Sequence, residues 1–310
     1  MTANDIMTFC YHHARVALLF TAPSRFEHAK AFVKNHSNGR QGLVFSTNPY
    51  QEVLQALNTL PGEEGYFWRE YSIAGHPRNT AKPRNYFSVE NAKRIDAIRT
   101  SIKELKAQGQ INDLEHSLLL HDLIMAVNDI ANIAGTYGHY LSELAGRARY
   151  PLTLKPGVLD LRNDAGCHAV FKGYAEDLAR TLTCDLCYID PPYMKRQYAA
   201  NYHILETIAR EDEPEAIGVS GLRPWRDQYS NFCTKTKIRD SFARIFTDMQ
   251  CKDFLVSYSE DGLLSITELL DFFSGFGDVK FSTFRYKRFK SNGSSLSSEL
   301  TEYLIHLRKA

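Results

Sequence analysis

The stretch Leu186-Cys187-Tyr188-Ile189, followed at once by Asp190-Pro191-Pro192-Tyr193, decides how the chain is read. Four apolar residues suited to a pleated, doubly buried surface predict a central strand of a parallel sheet. The prolines end it, because neither can donate to a hydrogen-bond ladder, so the chain must leave the sheet at Asp190. In open α/β sheets, ligands bind in the crevice beyond the carboxyl ends of such strands. An acid, a free carbonyl and an aromatic ring therefore arrive there together. The Asp190 carboxylate and the Pro191 carbonyl are pure acceptors, able to receive both hydrogens of one amino group, and the Tyr193 ring offers a face for a planar base. A strand-terminal Asp-Pro-Pro can equally be only a rigid turn, and four residues do not separate the two readings.

The residues that follow do. The run from Asp190 through Met194-Lys195-Arg196-Gln197-Tyr198-Ala199-Ala200-Asn201-Tyr202-His203 to Ala209 resembles the amino-methyltransferase signature of adenine-specific DNA methyltransferases of the Dam and FokI type. The resemblance continues through Tyr86 to Arg99, Ala131 to Gly138, and Ser257-Tyr258-Ser259-Glu260-Asp261-Gly262. It implies an α/β fold, a Rossmann-like sheet dependent on S-adenosylmethionine, with a helical target-recognition insert. The partner it implies is double-stranded DNA, and the reaction is methyl transfer to the amino nitrogen of a flipped adenine. Asp190, Pro191, Pro192 and Tyr193 would be the catalytic residues, with no metal.

Composition alone does not reach that far. With 310 residues, 44% hydrophobic and 24% charged, the chain reads as an ordinary globular protein with one sizeable core and an insertion or a second small domain. A net charge of +1 is uninformative, since phosphate contact needs a local basic stripe rather than a basic total. The absence of a long apolar span or signal pattern points to no membrane and a cytoplasmic location. Cys184 and Cys187 form a lone C-x-x-C without the second pair a zinc site wants, so they read as core thiols.

Near the start, Asn4-Asp5-Ile6 precedes a helix expected over 11–20. An acid ending the second strand of a doubly wound sheet accepts from ribose hydroxyls, and the family match gives Asp5 that role; an Asp just before a helix is equally an N-cap. A first strand with a glycine-rich cofactor turn would then lie upstream, and the chain carries neither it nor a G-x-G-x-x-G elsewhere. The expectation is therefore a sheet lacking its first strand, with a second polypeptide as a possible source of that segment and a truncated, non-catalytic DNA-binding remnant as the alternative function. The family's second cofactor acid should follow the strand Ala169-Val170-Phe171. Tyr174 stands in its place, leaving Glu176 and Asp177 as substitutes.

Between these segments, Ser88 caps a helix with Ile95, Ile98, Ile102 and Leu105 on one face, and Asn112 or Asp113 caps a second that Gly135 closes. Residues 152–161 are expected to resume the α/β pattern, and Lys280 to Phe289 with Glu302 to Leu307 reads as a terminal antiparallel pair. The domain reading is a partial methyltransferase core over 1–50, a helical recognition insert over 51–150 and the remaining core over 151–310. DNA-contact candidates are Arg84 in a polar loop, Lys93 and Arg94 on the first insert helix, and Lys195 and Arg196 after the signature. Arg223 and Arg226 in a long connection with Trp225 and Tyr229, and Arg285, Lys287 and Arg288 in the densest basic run, complete the set.

Overall fold

The computed structural model describes residues 1–36, 48–80, 82–157, 159, 161, 167–287 and 299–310. Its elements begin with β1 (Thr2–Asp5), α1 (Thr8–Leu19), α2 (Lys30–His36), α3 (Pro49–Asn58), α4 (Tyr66–Tyr71), α5 (Val89–Ala107) and α6 (Asp113–Ile130). There follow β2 (Ala169–Lys172), α7 (Ala175–Leu178), β3 (Leu186–Ile189), α8 (Tyr198–Asn201), α9 (His203–Arg210) and α10 (Ile238–Asp248). The chain ends with β4 (Asp253–Ser259), α11 (Ile266–Ser274), β5 (Gly277–Lys287) and β6 (Glu299–Lys309). It divides into two compact units, Met1–Lys172 with Tyr202–Trp225, and Gly173–Asn201 with Arg226–Ala310.

The first unit is mostly helical. The Ser88 side chain accepts the Asn91 amide at the start of α5, and Asn112 forms a reciprocal capping box with Glu115 at the start of α6. Both starts agree with the sequence, because a short polar acceptor satisfies amides that the first turn leaves free. Ile95, Ile98, Ile102 and Leu105 are all buried, each contributing about 1.5–3 kcal/mol by leaving water. Helix α6 stops at Ile130, short of Gly135, which instead takes a positive φ of 108° in the turn beyond. Strand β1 pairs in parallel with β2, Thr2 opposite Ala169 and Asp5 opposite Lys172. Residues 151–157 hold neither strand nor helix, so the expected return to an α/β pattern there is not found.

Within this unit Asp122 of α6 is buried and accepts the Tyr50 hydroxyl at 2.5 Å, while that hydroxyl receives the Gly157 amide at 3.0 Å. Burial pushes the Asp122 carboxyl up from 3.8 to about 7, against the bond from Tyr50. A raised carboxyl holds its proton more tightly folded than unfolded, so its stabilisation is present at low pH and lost as pH rises toward 7. The stability of the wild type minus that of Asp122→Asn, from urea titrations at several pH values, should fall by about 1.4 kcal/mol per pH unit across that window. A difference independent of pH would mean that Asp122 ionises normally.

The second unit holds a four-stranded sheet of order β3-β4-β6-β5. β3 runs parallel to β4, with Leu186 opposite Asp253 and Ile189 opposite Val256, whereas β6 is antiparallel to both β4 and β5. The terminal antiparallel pair is thus as expected. One sheet face packs Cys187, Ile189, Phe254, Val256 and Ile305 against Phe242 and Phe246 of α10 and Phe273 of α11. The other carries an open groove of about 580 Å³ lined in part by Leu186, Leu255, Leu304 and His306. β3 is therefore not doubly buried: among the described residues it lies at the sheet edge, with Leu186 51% and Tyr188 60% exposed. An unbroken apolar run does not reveal that only alternate side chains are covered. Burial pushes the Cys187 thiol up to about 12 and Cys184 to about 11, as inert core thiols require. No helix among the described residues is long and apolar enough to cross a membrane.

Candidate active site

The carboxyl end of β3 delivers the Asp-Pro-Pro-Tyr segment, and the end of β4 braces it. The Leu263 amide donates to the Tyr193 carbonyl at 2.9 Å, and the Tyr193 and Tyr258 rings lie 5.7 Å apart. Tyr258 is fully buried, and its hydroxyl accepts the Leu264 amide at 3.3 Å. Gly262 fits over that ring because it has no side chain: a Cβ there would come within 2.1 Å of Tyr258 Cε1. This is why Ser257 to Gly262 ends in glycine: the turn must close onto an aromatic face before it can hold Tyr193.

Around this brace the acids crowd one another. Asp190 is reached by solvent, yet desolvation by its surroundings raises its carboxyl above the ordinary range. Desolvation also raises Tyr193, helped by the charges of Glu302, Asp190 and Asp261. Glu302 lies on β6 directly opposite Ser259, and burial raises its carboxyl, with further repulsion from Asp190, Asp261 and Glu260. Among the described residues no donor bonds the Asp190 carboxylate, which keeps its acceptor capacity for a ligand. A negative, partly dry surface bearing a tyrosine ring suits a planar amine that gains positive charge. Glu302 was not foreseen, because only the strand order brings it beside a segment so distant in the chain.

The predicted cofactor acids are placed differently from one another. Asp5 ends β1, and its Oδ1 accepts the Met7 amide at 2.7 Å. Met7, not Asp5, is the N-cap of α1, and burial raises the Asp5 carboxyl. The Cys10 thiol and the Ile6 amide also bond this carboxylate, so its fit to a ribose hydroxyl rests on its place at the end of a parallel strand. Glu176 does not fit: it is buried, and its Oε1 takes the Ser241 hydroxyl at 2.6 Å. Asp177 pairs with Arg244 at 2.7 Å. Glu206, which sequence reasoning passed over, is fully buried on α9 and accepts the Thr8 and Phe9 amides at 2.8 and 3.2 Å, closing the start of α1 beside Asp5.

Several predicted phosphate contacts prove to be internal supports. Arg84 is fully buried and donates to Glu70 and to the carbonyls of Ala216, Gly218 and Val219, which leaves it no reach to a phosphate. Arg223 is 3% exposed and grips both Asp212 oxygens, at 3.0 and 2.7 Å. Arg94 is spent on the carbonyls of Leu152 and Asn58, whereas Lys93 keeps access to solvent, paired at the surface with Glu64 at 2.7 Å over the Trp68 ring. A cation in a polar stretch is solvated or folded inward according to carbonyls that only the tertiary structure supplies. Lys195, Arg196, Arg226, Arg285 and Lys287 are exposed, and Arg288 lies outside the described residues.

A family model described as D12 class N6 adenine-specific DNA methyltransferase matches residues 2–272. The chain is 39% identical over 261 residues to the type II methyltransferase M.FokI of Planomicrobium okeanokoites, covering 83% of this chain and 40% of that protein. It is 34% identical over 262 residues to the type II methyltransferase M.NlaIII of Neisseria lactamica, covering 83% and 76%. It is 29% identical over 314 residues to the modification methylase StsI of Streptococcus sanguinis, covering 100% and 46%. The chain thus spans under half the length of M.FokI and of StsI, and about three quarters of M.NlaIII. No solved structure matches.

Proposed function

We propose, because the chain belongs to the D12 class N6 adenine-specific DNA methyltransferases, that it moves a methyl group to the amino nitrogen of adenine in a specific duplex DNA site. S-adenosylmethionine supplies, when bound, a methyl group on a positively charged sulfur. Asp5 would accept from its ribose; Glu176 is buried against Ser241, and Asp177 pairs with Arg244 at the surface.

The chain's own residues then do three things. Tyr193, held by Leu263 and backed by Tyr258, stacks on a base that must leave the duplex, at a cost of about a few kcal/mol. Asp190 and the Pro191 carbonyl accept the amino hydrogens, turning the nitrogen lone pair outward. As the nitrogen bonds the methyl carbon, the carbon–sulfur bond would break with its electron pair left on sulfur; the nitrogen turns positive, and the negative charges of Asp190 and Glu302 stabilise that charge, by ~3 kcal/mol for a well-placed group. The nitrogen then gives up one proton to solvent, leaving a neutral methylamino group.

The observation that carries this reading is the unbonded, desolvated Asp190 carboxylate at the end of a parallel strand. The same reading makes the fold Rossmann-like, and the open edge of β3 supports pairing with a further parallel strand that bears the glycine-rich turn. Residues 51–150 serve as the recognition insert, and the exposed Lys195, Arg196, Arg226, Arg285 and Lys287 as DNA contacts. Incubating the chain with plasmid DNA and methyl-labelled cofactor, then digesting to nucleosides, should place the label in the 6-methylamino group of adenine. Label in cytosine, or in protein alone, would overturn the assignment.

A further inference from the structure

A turn on the first unit is built far more stiffly than its length requires. Ile217 and Leu222 face each other across a bridge, each donating its amide to the other's carbonyl at 2.8 Å. Gly218 and Gly221 take positive φ values of 71° and 67°, conformations that favour glycine. Beneath the turn, the buried Arg84 guanidinium donates to the carbonyls of Ala216 at 3.2 Å, Gly218 at 3.0 Å and Val219 at 3.2 Å. The Tyr71 hydroxyl donates to the Gly221 carbonyl at 2.7 Å, and the one hydrogen of the Tyr86 hydroxyl lies between the carbonyls of Tyr137 at 2.7 Å and Ser220 at 3.1 Å. Buried donors thus fix a run of carbonyls in one short loop.

What this rigid base presents is apolar. Ile217 is 50% exposed and Val219, at the tip, 76%. The neighbouring loop is tied on by Asn79, whose amide nitrogen donates to Glu215 at 2.7 Å, and it shows Arg78 and Lys82 to solvent. That bond also occupies one oxygen of the nearby Glu215 acid. An exposed aliphatic tip with cations on the adjoining loop suits a target that is anionic outside and apolar within, which describes stacked base pairs between phosphates.

We propose that Val219, with Ile217 beside it, is a wedge that enters the base stack of duplex DNA and fills space opened by an extruded base. This rests on the adenine methyltransferase reading, which requires a base to leave the helix. A soft loop would bend away from the stack; the Arg84 anchorage keeps the tip in place, so the load is carried into the core. Ordinary apolar scatter on a surface does not call for such support.

The test uses the full chain and plasmid DNA. Val219 is exposed, so its replacement leaves the core intact, and the thermal midpoint should not move. Val219→Ala should lower the single-turnover methylation rate by about tenfold, with Val219→Leu restoring it, because a wedge needs bulk rather than a particular shape. The indole introduced by Val219→Trp, read against the wild-type background of Trp68 and Trp225, should be quenched by stacking when plasmid is added. Retention of DNA without quenching, or an Ala variant as fast as the wild type, overturns the wedge while leaving the methyltransferase reading intact. Failure of the wild type to bind plasmid at all overturns both. A tip that docks protein instead would leave methylation and quenching untouched.

Discussion

Replacing Asp190 with alanine should lower the single-turnover rate of methyl transfer by on the order of a hundredfold, equivalent to ~3 kcal/mol, with duplex affinity changing little. The carboxylate sits where β3 leaves the sheet and carries no internal bond among the described residues, so its removal costs the fold almost nothing. The loss should fall on the reaction itself. Its charge stabilises the positive charge that the amine nitrogen develops, and that charge exists only as the new bond forms. Asp190→Asn keeps an acceptor and loses the charge, so it should lie between wild type and alanine. The raised carboxyl adds a signature in pH. The ionised form is the active one, so the rate should fall on acidification with a midpoint above the ordinary carboxylate range, and the Asn variant should lose that limb. Quench-flow measurement of labelled methyl incorporation decides the matter; near-normal transfer in the alanine variant removes Asp190 from this role.

Arg84→Leu should cost about 3–5 kcal/mol of stability. Arg84 and Glu70 are 0% and 3% exposed in their side chains and meet at 2.9 Å. Removing the cation leaves the buried Glu70 carboxylate only the Arg69 guanidinium at 3.1 Å and the Arg78 amide at 3.4 Å, and strips donors from the carbonyls of Ala216, Gly218 and Val219. The double change Arg84→Leu with Glu70→Leu should recover part of the loss, since the buried carboxylate goes with its partner and Arg69, 26% exposed, can turn to solvent. Gly221→Ala should act through the same contact, because its Cβ would come within 2.8 Å of Arg84 Cδ at a backbone angle that disfavours alanine. Chemical denaturation gives the size of the effect, and faster proteolysis near residues 214–222 gives its place. A loss below about 1 kcal/mol would show that the buried pair is dispensable.

What the sequence disclosed follows a physical divide. Helices α5 and α6 were legible because their signals are local: a capping side chain acts within one turn, and apolar spacing records a single face. The strand before Asp190 was legible as a strand, but not as an edge, since its pairing depends on β4 far along the chain. The cations misled for a related reason. Arg84 and Arg223 stand in polar stretches, and nothing nearby in sequence announces the carbonyls and carboxylates that draw them inward. Glu302 and Glu206 were invisible because their importance lies wholly in what they approach.

The carboxylate that closes the first helix has a further consequence, in the time domain. Thr8 and its acceptor Glu206 are 198 residues apart, and β1 finds its partner only at Ala169. A ribosome adding about 5–20 residues per second needs roughly 10–40 s to cover that interval. For most of it β1 lacks its partner β2, and for all of it the helix behind has no lid on its amides. The earliest part of the first unit to be synthesised is therefore the last to settle, and a nascent chain stalled before α9 should offer that segment to chaperones or proteases while α5 and α6 are already formed.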